Sequence, residues 1–516
     1  MNTSDWISRN VSRLLPATAS KNIMAIALAE STQAATNKEA STDAMAGAAG
    51  ASQAVVVPAR VAVNASARQV SRSTRERLAA ILRRGSEALS PRELRRTLAE
   101  LQAVVDSHVS EVEGGLRAKA VARWYAAAIP AQRHDCWLLM SEQFVADPHV
   151  VQLAQARFAG AVGTADEAAA EVQYRRATVS TRRRLLQRFS AFPEGIRFLV
   201  DMRAEMLAHL KSDKRLQALD VEMEYMFSTW FDVGFLDLRR ISWDSPASLI
   251  EKLIKYEAVH DIKGWADVKN RLDSDRRCYG FFHPRLPDDP LIFVEVALMD
   301  VMAASITPLL DESADATDLS KATTAIFYSI SNTQPGLRGV SFGDSLIKRV
   351  VEALKAEFPR LKTFATLSPI PGFRAWLGKN AAAMLDKLSD KARAELGHAL
   401  GVDTVTALHL LSAADKALEF DAKSAVRHVL LQCAAHYLSR EWVEGKPCDP
   451  VARFHLGNGA RIERLNWGGD PCAKGLKQSC GMMVNYLYDP SRLDKYRAQL
   501  AQGKIPVSGA IGDLNF

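Results

Sequence analysis

The sequence predicts an α+β protein: an all-α helical bundle first, then a strand-bearing domain interrupted by a helical insertion. Three observations predict it. Between about Thr74 and residue 236, apolar side chains recur at helical spacing. Beyond that point strand-length apolar runs appear, Leu291–Leu298 and Thr324–Ser331, separated by helical and turn segments. From 379 to about 440 the spacing is helical again, with Val426, Leu430, Cys433 and Tyr437 on one face.

The bulk numbers fit this reading. A chain of 516 residues is long enough for two or three domains, and 48% hydrophobic with 24% charged residues is ordinary for a protein that buries a sizeable core. The net charge of +7 suits an anionic ligand but is too small, over this length, to argue for nucleic acid. No apolar run approaches the roughly 18 residues of a spanning helix, so no membrane partner is expected. Cys136, Cys278, Cys433, Cys448, Cys472 and Cys480 form no C-x-x-C pair, and read as reduced thiols of a cytoplasmic protein.

In chain order, residues 1–72 are rich in Ala, Ser and Thr, as in Ala44-Met45-Ala46-Gly47-Ala48-Ala49-Gly50. Such small side chains bury too little apolar area to offset the entropy of ordering, and the segment reads as a disordered leader. Ile23–Ala29 is too short and too far from the first residue for a secretory signal. Arg9 and Arg13 leave a transit peptide open, with Asp5 against it. The C-terminus, Asp513-Leu514-Asn515-Phe516, is not a peroxisomal address.

Residues 74–236 form the predicted bundle, a packing or oligomerisation unit. Ser90-Pro91-Arg92-Glu93 is a capping box, followed by Leu94, Leu98, Leu101 and Val105 at helical spacing. Leu199, Met202, Met206 and Leu210 mark a second amphipathic stretch. The cluster Arg182, Arg183, Arg184 and Arg188 reads as a solvated helix face, since no aromatic interleaving extends it into a nucleic-acid patch.

Residues 237–516 carry the candidate chemistry. Ser331-Asn332-Thr333-Gln334-Pro335-Gly336-Leu337-Arg338-Gly339-Val340-Ser341-Phe342-Gly343-Asp344 links a strand to a helix spanning Ser345–Phe358. Its glycines let backbone N–H groups approach a ligand, the helix start adds partial positive charge, and Arg338 can add a charged contact, so the turn suits a pyrophosphate. A plain Gly-rich connection has the same composition, and the Walker ending is missing. Ser368-Pro369-Ile370-Pro371-Gly372-Phe373 closes the strand Thr363–Leu367, and its prolines hold Ser368 at a defined angle, for chemistry or merely as a turn residue. Phe454-His455-Leu456-Gly457-Asn458-Gly459-Ala460 reads as a strand entering a turn, with Arg461–Trp467 as the return strand. His455 is there either a packed side chain or an acid–base group. Cys480 reads as a small packed residue rather than a nucleophile.

Several of these segments carry a resemblance in chain order. They are Phe327-Tyr328-Ser329-Ile330-Ser331 through Leu346-Ile347-Lys348-Arg349-Val350-Val351, Leu367-Ser368-Pro369-Ile370-Pro371-Gly372-Phe373, Asp449-Pro450-Val451-Ala452-Arg453-Phe454-His455-Leu456, Asn458-Gly459-Ala460 and Ser479-Cys480-Gly481. Tyr256-Glu257-Ala258-Val259-His260 and Arg277-Cys278-Tyr279 join them. Together they resemble the malonyl-CoA decarboxylase family, over about Thr74 to Tyr488. The resemblance implies that 237–516 is a catalytic domain of the GNAT acetyltransferase type and that the chain forms a homo-oligomer, a dimer or tetramer. It implies malonyl-CoA as substrate, acetyl-CoA and CO2 as products, and no cofactor or metal. It puts the coenzyme A site on Arg338, Gly339, Val340, Ser341, Phe342, Gly343 and Asp344, with Ser368 as proton acceptor and His455 as proton donor, both also contacting substrate. Many members carry a glutamate where this chain has Ser341, so a role for that carboxylate in orienting a catalytic group does not carry over.

The implied reaction needs no cofactor, because the thioester carbonyl is itself the electron sink. The protein must hold the carboxylate so that the breaking bond lies out of the thioester plane, stabilise the enolate oxygen, and deliver a proton to carbon. An acyl-CoA-dependent acyltransferase on the same scaffold is the competing reading. Glu295 would be its general base, unless it is merely a strand residue facing solvent. A non-catalytic acyl-CoA sensor is a third.

Overall fold

The computed structural model describes residues 88–340 and 346–514. The leader therefore lies outside the described residues, as do Ser341, Phe342, Gly343 and Asp344 of the glycine-rich loop.

Helices dominate the first part. The capping box forms as expected: the Ser90 hydroxyl accepts from the Glu93 N–H, and the Glu93 carboxylate accepts from the Ser90 N–H at 2.8 Å. It opens α1 (Pro91–Val105), which buries Leu94, Leu98, Leu101 and Val104. There follow α2 (Glu111–Ala127), α3 (Pro130–Gln143), α4 (Pro148–Ala161), α5 (Glu167–Thr178), α6 (Thr181–Ser190), α7 (Gly195–Leu207) and α8 (Gln217–Trp230). Leu199, Met202 and Met206 of α7 are buried, as their spacing requires.

The arginine cluster departs from the solvated face expected of it. Arg182 and Arg188 of α6 are buried, while Arg184 is exposed. Arg182 donates to the carbonyls of Met140, Ser141 and Ala218, the first two in the last turn of α3, so its charge meets backbone acceptors instead of facing water.

The strands then build one mixed sheet. Its members are β1 (Asp237–Ile241), β2 (Arg276–His283), β3 (Leu286–Met299), β4 (Thr324–Asn332), β5 (Thr363–Thr366), β6 (Ser368–Pro369), β9 (Arg461–Asn466) and β10 (Met483–Tyr488); β7 (Trp442–Val443) and β8 (Lys446–Pro447) pair separately. The order is β1-β2-β3-β4-β5-β10-β6, with β9 also paired to β10. Helices α9 (Ala247–Tyr256) and α10 (Trp265–Arg271) sit between β1 and β2 in sequence, and α11 (Leu346–Glu357) connects β4 to β5. That helical crossover makes β4 and β5 parallel, whereas the other pairings between these strands are antiparallel.

Two irregularities shape the centre of the sheet. Opposite β3, Glu295 pairs with Ser329 and Val296 with Phe327, so Tyr328 is an extra residue that bends β4. On the other side β5 follows β4 only from Thr324↔Thr363 to Phe327↔Thr366, although β4 continues to Asn332. The two strands therefore part beyond Phe327.

The helical insertion forms where expected and begins slightly earlier, at Phe373: α12 (Phe373–Asp386), α13 (Asp390–Leu400), α14 (Ala407–Asp415) and α15 (Ala425–Arg440). Val426, Leu430, Cys433 and Tyr437 are all buried along α15. The chain ends in α16 (Pro450–Gly457), α17 (Ala473–Ser479), α18 (Leu493–Ala501) and α19 (Gly509–Gly512) around β9 and β10.

Candidate active site

His455 does not lie on a strand. It occupies the last turn of α16, whose start is set by Asp449: the carboxylate accepts from the N–H groups of Val451 and Ala452, and Pro450 takes the first helical position. Asp-Pro at these two positions is a strong helix-start signal. It outweighs the apolar-polar alternation around His455 that suggests a strand.

Ser368 comes from the opposite direction. It begins β6, paired across to Val484 of β10, one residue after Leu367, whose N–H donates to the Phe327 carbonyl. Pro369 and Pro371 follow at once, and the rigid turn sends the chain into α12.

The two side chains meet. Ser368 Oγ lies 3.1 Å from His455 Nε2, and both residues are buried, at 5% and 4% exposure. Three further residues complete the arrangement. The Ser368 hydroxyl donates to Thr366 Oγ1 at 2.9 Å, and Thr366 Oγ1 also accepts from the Tyr486 N–H at 3.1 Å. Tyr488 places its hydroxyl 2.7 Å from His455 Nδ1. Tyr486 stacks on the imidazole, with ring centres 4.6 Å apart and planes 25° apart.

The electrostatics follow from burial. Among the described residues no charged group perturbs His455, and burial alone pushes its imidazole down to about 3. The ring is therefore neutral, with one N–H. Burial pushes the Tyr488 phenol well above the ordinary range, so it keeps its proton. With Ser368 donating to Thr366, a consistent circuit runs Tyr488 O–H to Nδ1, Nε2–H to Ser368 Oγ, and Ser368 O–H to Thr366. This line of hydrogen bonds, from Tyr488 through His455 to Ser368 and Thr366, has the connectivity of a proton relay.

The glycine-rich loop is described as far as Val340. Arg338 and Gly339 are exposed, Val340 is buried, and Gly339 has φ +85°, in the left-handed region that favours glycine. Beyond the undescribed residues 341–345 comes α11, described over Leu346–Glu357 where a helix over Ser345–Phe358 is expected.

Glu295 is not a strand residue facing solvent. It is fully buried, and its carboxylate accepts from Arg271 Nη1 at 2.8 Å, while Asp267 takes Arg271 Nε at 2.7 Å. Burial raises Glu295 to about 7, even against the opposing pull of the Arg271 guanidinium. Cys480 is buried as expected, closing α17 in a left-handed conformation, and burial pushes its thiol up to about 12. Among the described residues no group of three or more His, Cys, Asp or Glu could hold a metal ion, and no helix is long and apolar enough to cross a membrane.

The profile of the malonyl-CoA decarboxylase C-terminal domain matches residues 234–515, and that of the malonyl-CoA decarboxylase N-terminal domain matches 144–231. The mitochondrial malonyl-CoA decarboxylase of Anser anser anser is 38% identical over 319 residues, 59% of this chain; the chain spans 63% of that protein's length. The mitochondrial enzyme of Rattus norvegicus is 39% identical over 333 residues, covering 62% of this chain and 68% of that protein. The crystal structure of malonyl-CoA decarboxylase from Cupriavidus metallidurans shares 44% identity and a TM-score of 0.67, covering 82% of this chain and all of that one. The chain belongs to the malonyl-CoA decarboxylase family, a family of carboxy-lyases.

Proposed function

We propose that this chain converts malonyl-CoA to acetyl-CoA and CO2, with His455 as proton donor and Ser368 as proton acceptor. The observation that carries the reading is the buried contact between Ser368 Oγ and His455 Nε2, made by two residues that stand in family motifs. The malonyl carboxylate sits against Ser368 and His455. Its negative charge supplies the counter-charge that the buried imidazole lacks, and His455 takes up one proton. The C–C bond then breaks, its electron pair moves into the thioester as an enolate, and CO2 leaves. His455 Nε2–H protonates the carbon that lost CO2 and returns to the neutral state, so one proton is consumed per turnover, as the reaction requires. Ser368 turns its hydroxyl from Thr366 to the carboxylate before cleavage, and it is the acceptor of the pair in that its Oγ takes the Nε2–H hydrogen bond when His455 is neutral. Exclusion of water favours the same sequence, because a charged carboxylate is poorly solvated in so closed a place.

The acyl-CoA runs through the opening where β4 and β5 part, as in a GNAT-type domain, with its pyrophosphate on the loop carrying Arg338, Gly339, Val340, Ser341, Phe342, Gly343 and Asp344. The bend at Tyr328 and the end of pairing at Phe327↔Thr366 support that path. Residues 74–236 serve assembly into a dimer or tetramer. In support, α4 and α5 pack on each other and leave Val150, Leu153, Val162 and Val172 exposed. The acyltransferase alternative needs a free general base, and Glu295 is instead buried and held by Arg271. The test is CO2 release from malonyl-CoA by the purified protein without an added acceptor. Ser368→Ala and His455→Ala lose about 10²–10⁴-fold in kcat while keeping the circular dichroism of the parent. Full activity in both variants would overturn the roles of both residues.

A further inference from the structure

The helical region does more than pack or assemble: it reaches the loop on which the coenzyme A reading rests. Arg203 of α7 is 1% exposed. Its Nε donates to Asp220 at 2.8 Å, and its Nη1 donates to two loop carbonyls, Gly336 O at 2.7 Å and Arg338 O at 3.0 Å. Nearly two turns earlier, Arg197 donates through both terminal nitrogens to Gln334 Oε1 at 2.9 Å, and Gln334 Nε2 donates on to Pro290 O at 3.0 Å. The two elements touch so closely that a Cβ on Gly336 would lie 1.9 Å from the Val200 carbonyl oxygen.

These contacts have a directional consequence. A trans peptide is planar, with its C=O and N–H opposed. By drawing the Arg338 carbonyl toward α7, Arg203 turns the N–H of Gly339 away from the helix. Gly339 is exposed and takes φ +85°, so that N–H faces outward from a backbone conformation that few other residues adopt. A buried guanidinium that binds an aspartate and two carbonyls at once is a rigid three-point fixture; a lysine cannot reproduce its fork.

We propose that Arg203, with Arg197 beside it, is a positioning residue for the pyrophosphate of the coenzyme A thioester, holding the Gln334–Val340 segment so that the Gly339 N–H meets the phosphate oxygens. The helical region is thereby coupled to substrate affinity. This rests on the reading of the loop as the pyrophosphate site, and the experiment separates the two. Steady-state kinetics are measured with malonyl-CoA and with the malonyl thioester of N-acetylcysteamine, which carries no pyrophosphate, for the full chain and for Arg203→Lys.

In the parent, kcat/KM is higher for malonyl-CoA. In Arg203→Lys the ratio between the two thioesters falls roughly tenfold, the size of one lost hydrogen bond from a charged donor, and the fall is carried by KM for malonyl-CoA. A merely structural role would lower the melting temperature and reduce both thioesters in proportion, leaving the ratio unmoved. Arg197→Ala, at a half-buried side chain, shifts the ratio in the same direction by less and serves if Arg203→Lys does not fold. If the parent shows no preference for malonyl-CoA, the loop reading fails. If the parent discriminates and neither variant changes the ratio, the loop reading stands and the positioning role of α7 is overturned.

Discussion

The proposed mechanism requires the charge on His455 to depend on what occupies the site, and that dependence has a size. Lowering the imidazole from 6.5 to about 3 sets about 5 kcal/mol against its charged form. One carboxylate at about 4 Å, in surroundings of effective dielectric near 20, contributes about 4 kcal/mol in return. Most of the penalty is offset, and the loaded histidine should titrate near 6. At pH 5 the empty site then carries almost no proton on His455 while the loaded site carries about 0.9; at pH 7 the difference shrinks to about 0.1. Calorimetric titration in two buffers of different ionisation enthalpy reads this uptake directly. The ligand is an analogue of malonyl-CoA that keeps the carboxylate but cannot lose CO2, and acetyl-CoA is the comparison. The analogue should take up close to one proton at pH 5, acetyl-CoA close to none, and His455→Asn should abolish the difference. Affinity for the analogue should rise as pH falls from 7 to 5. Uptake below about 0.2 at pH 5, or equal uptake with acetyl-CoA, would refute loading of the proton donor by the substrate's own charge.

Other expectations follow from the same contacts. In the empty enzyme the folded-state pKa of His455 is depressed, so the unfolded chain binds the extra proton between 6.5 and about 3. That part of the stability is fully present above pH 6.5 and is lost as pH falls toward 3, a loss that denaturant melts should show shrinking in His455→Asn. Tyr488→Phe removes the hydroxyl 2.7 Å from Nδ1 and leaves a buried ring nitrogen without its partner; it should cost about 1–3 kcal/mol of stability and lower kcat by about tenfold, and an unchanged kcat would remove Tyr488 from the relay. Glu295→Ala strips one partner from buried Arg271 and should cost about 3–5 kcal/mol in urea unfolding, softened by Asp267, while the folded fraction still decarboxylates; complete loss of activity in well-folded protein would return Glu295 to the chemistry.

What can be read from the sequence is local, and what cannot is long-range. The Ser90 capping box, the strands at Leu291 and Thr324, the helix after the glycine-rich loop and the insertion through Tyr437 each show their own periodicity or cap, and each forms. His455 reads as a strand residue because two local signals compete. Alternation and a Gly-Asn-Gly turn suggest a strand, while Asp449 and Pro450, several residues upstream, start a helix that runs through it. The difference matters, because a helical His455 presents both ring nitrogens at once, one to Ser368 and one to Tyr488.

Tyr488, Thr366 and Arg203 give no signal of their own. Tyr488 meets His455 across 33 residues, Thr366 meets the Tyr486 backbone across 120, and Arg203 meets Gly336 across 133. Periodicity says only that a side chain is buried. Which buried hydroxyl faces the histidine is decided by the register of β10 against β5 and β6, where Leu487 pairs with Ala365 and Val484 with Ser368. A two-residue slip of that register would keep every apolar residue on its own face and yet carry Tyr488 away from the imidazole, because side chains repeat with a period of two along a strand. The hydrophobic pattern can therefore specify the fold without specifying the relay. The Thr366 hydroxyl distinguishes the registers: by accepting the Tyr486 N–H and the Ser368 hydroxyl together, it ties β10 and the start of β6 to one another beside Ser368.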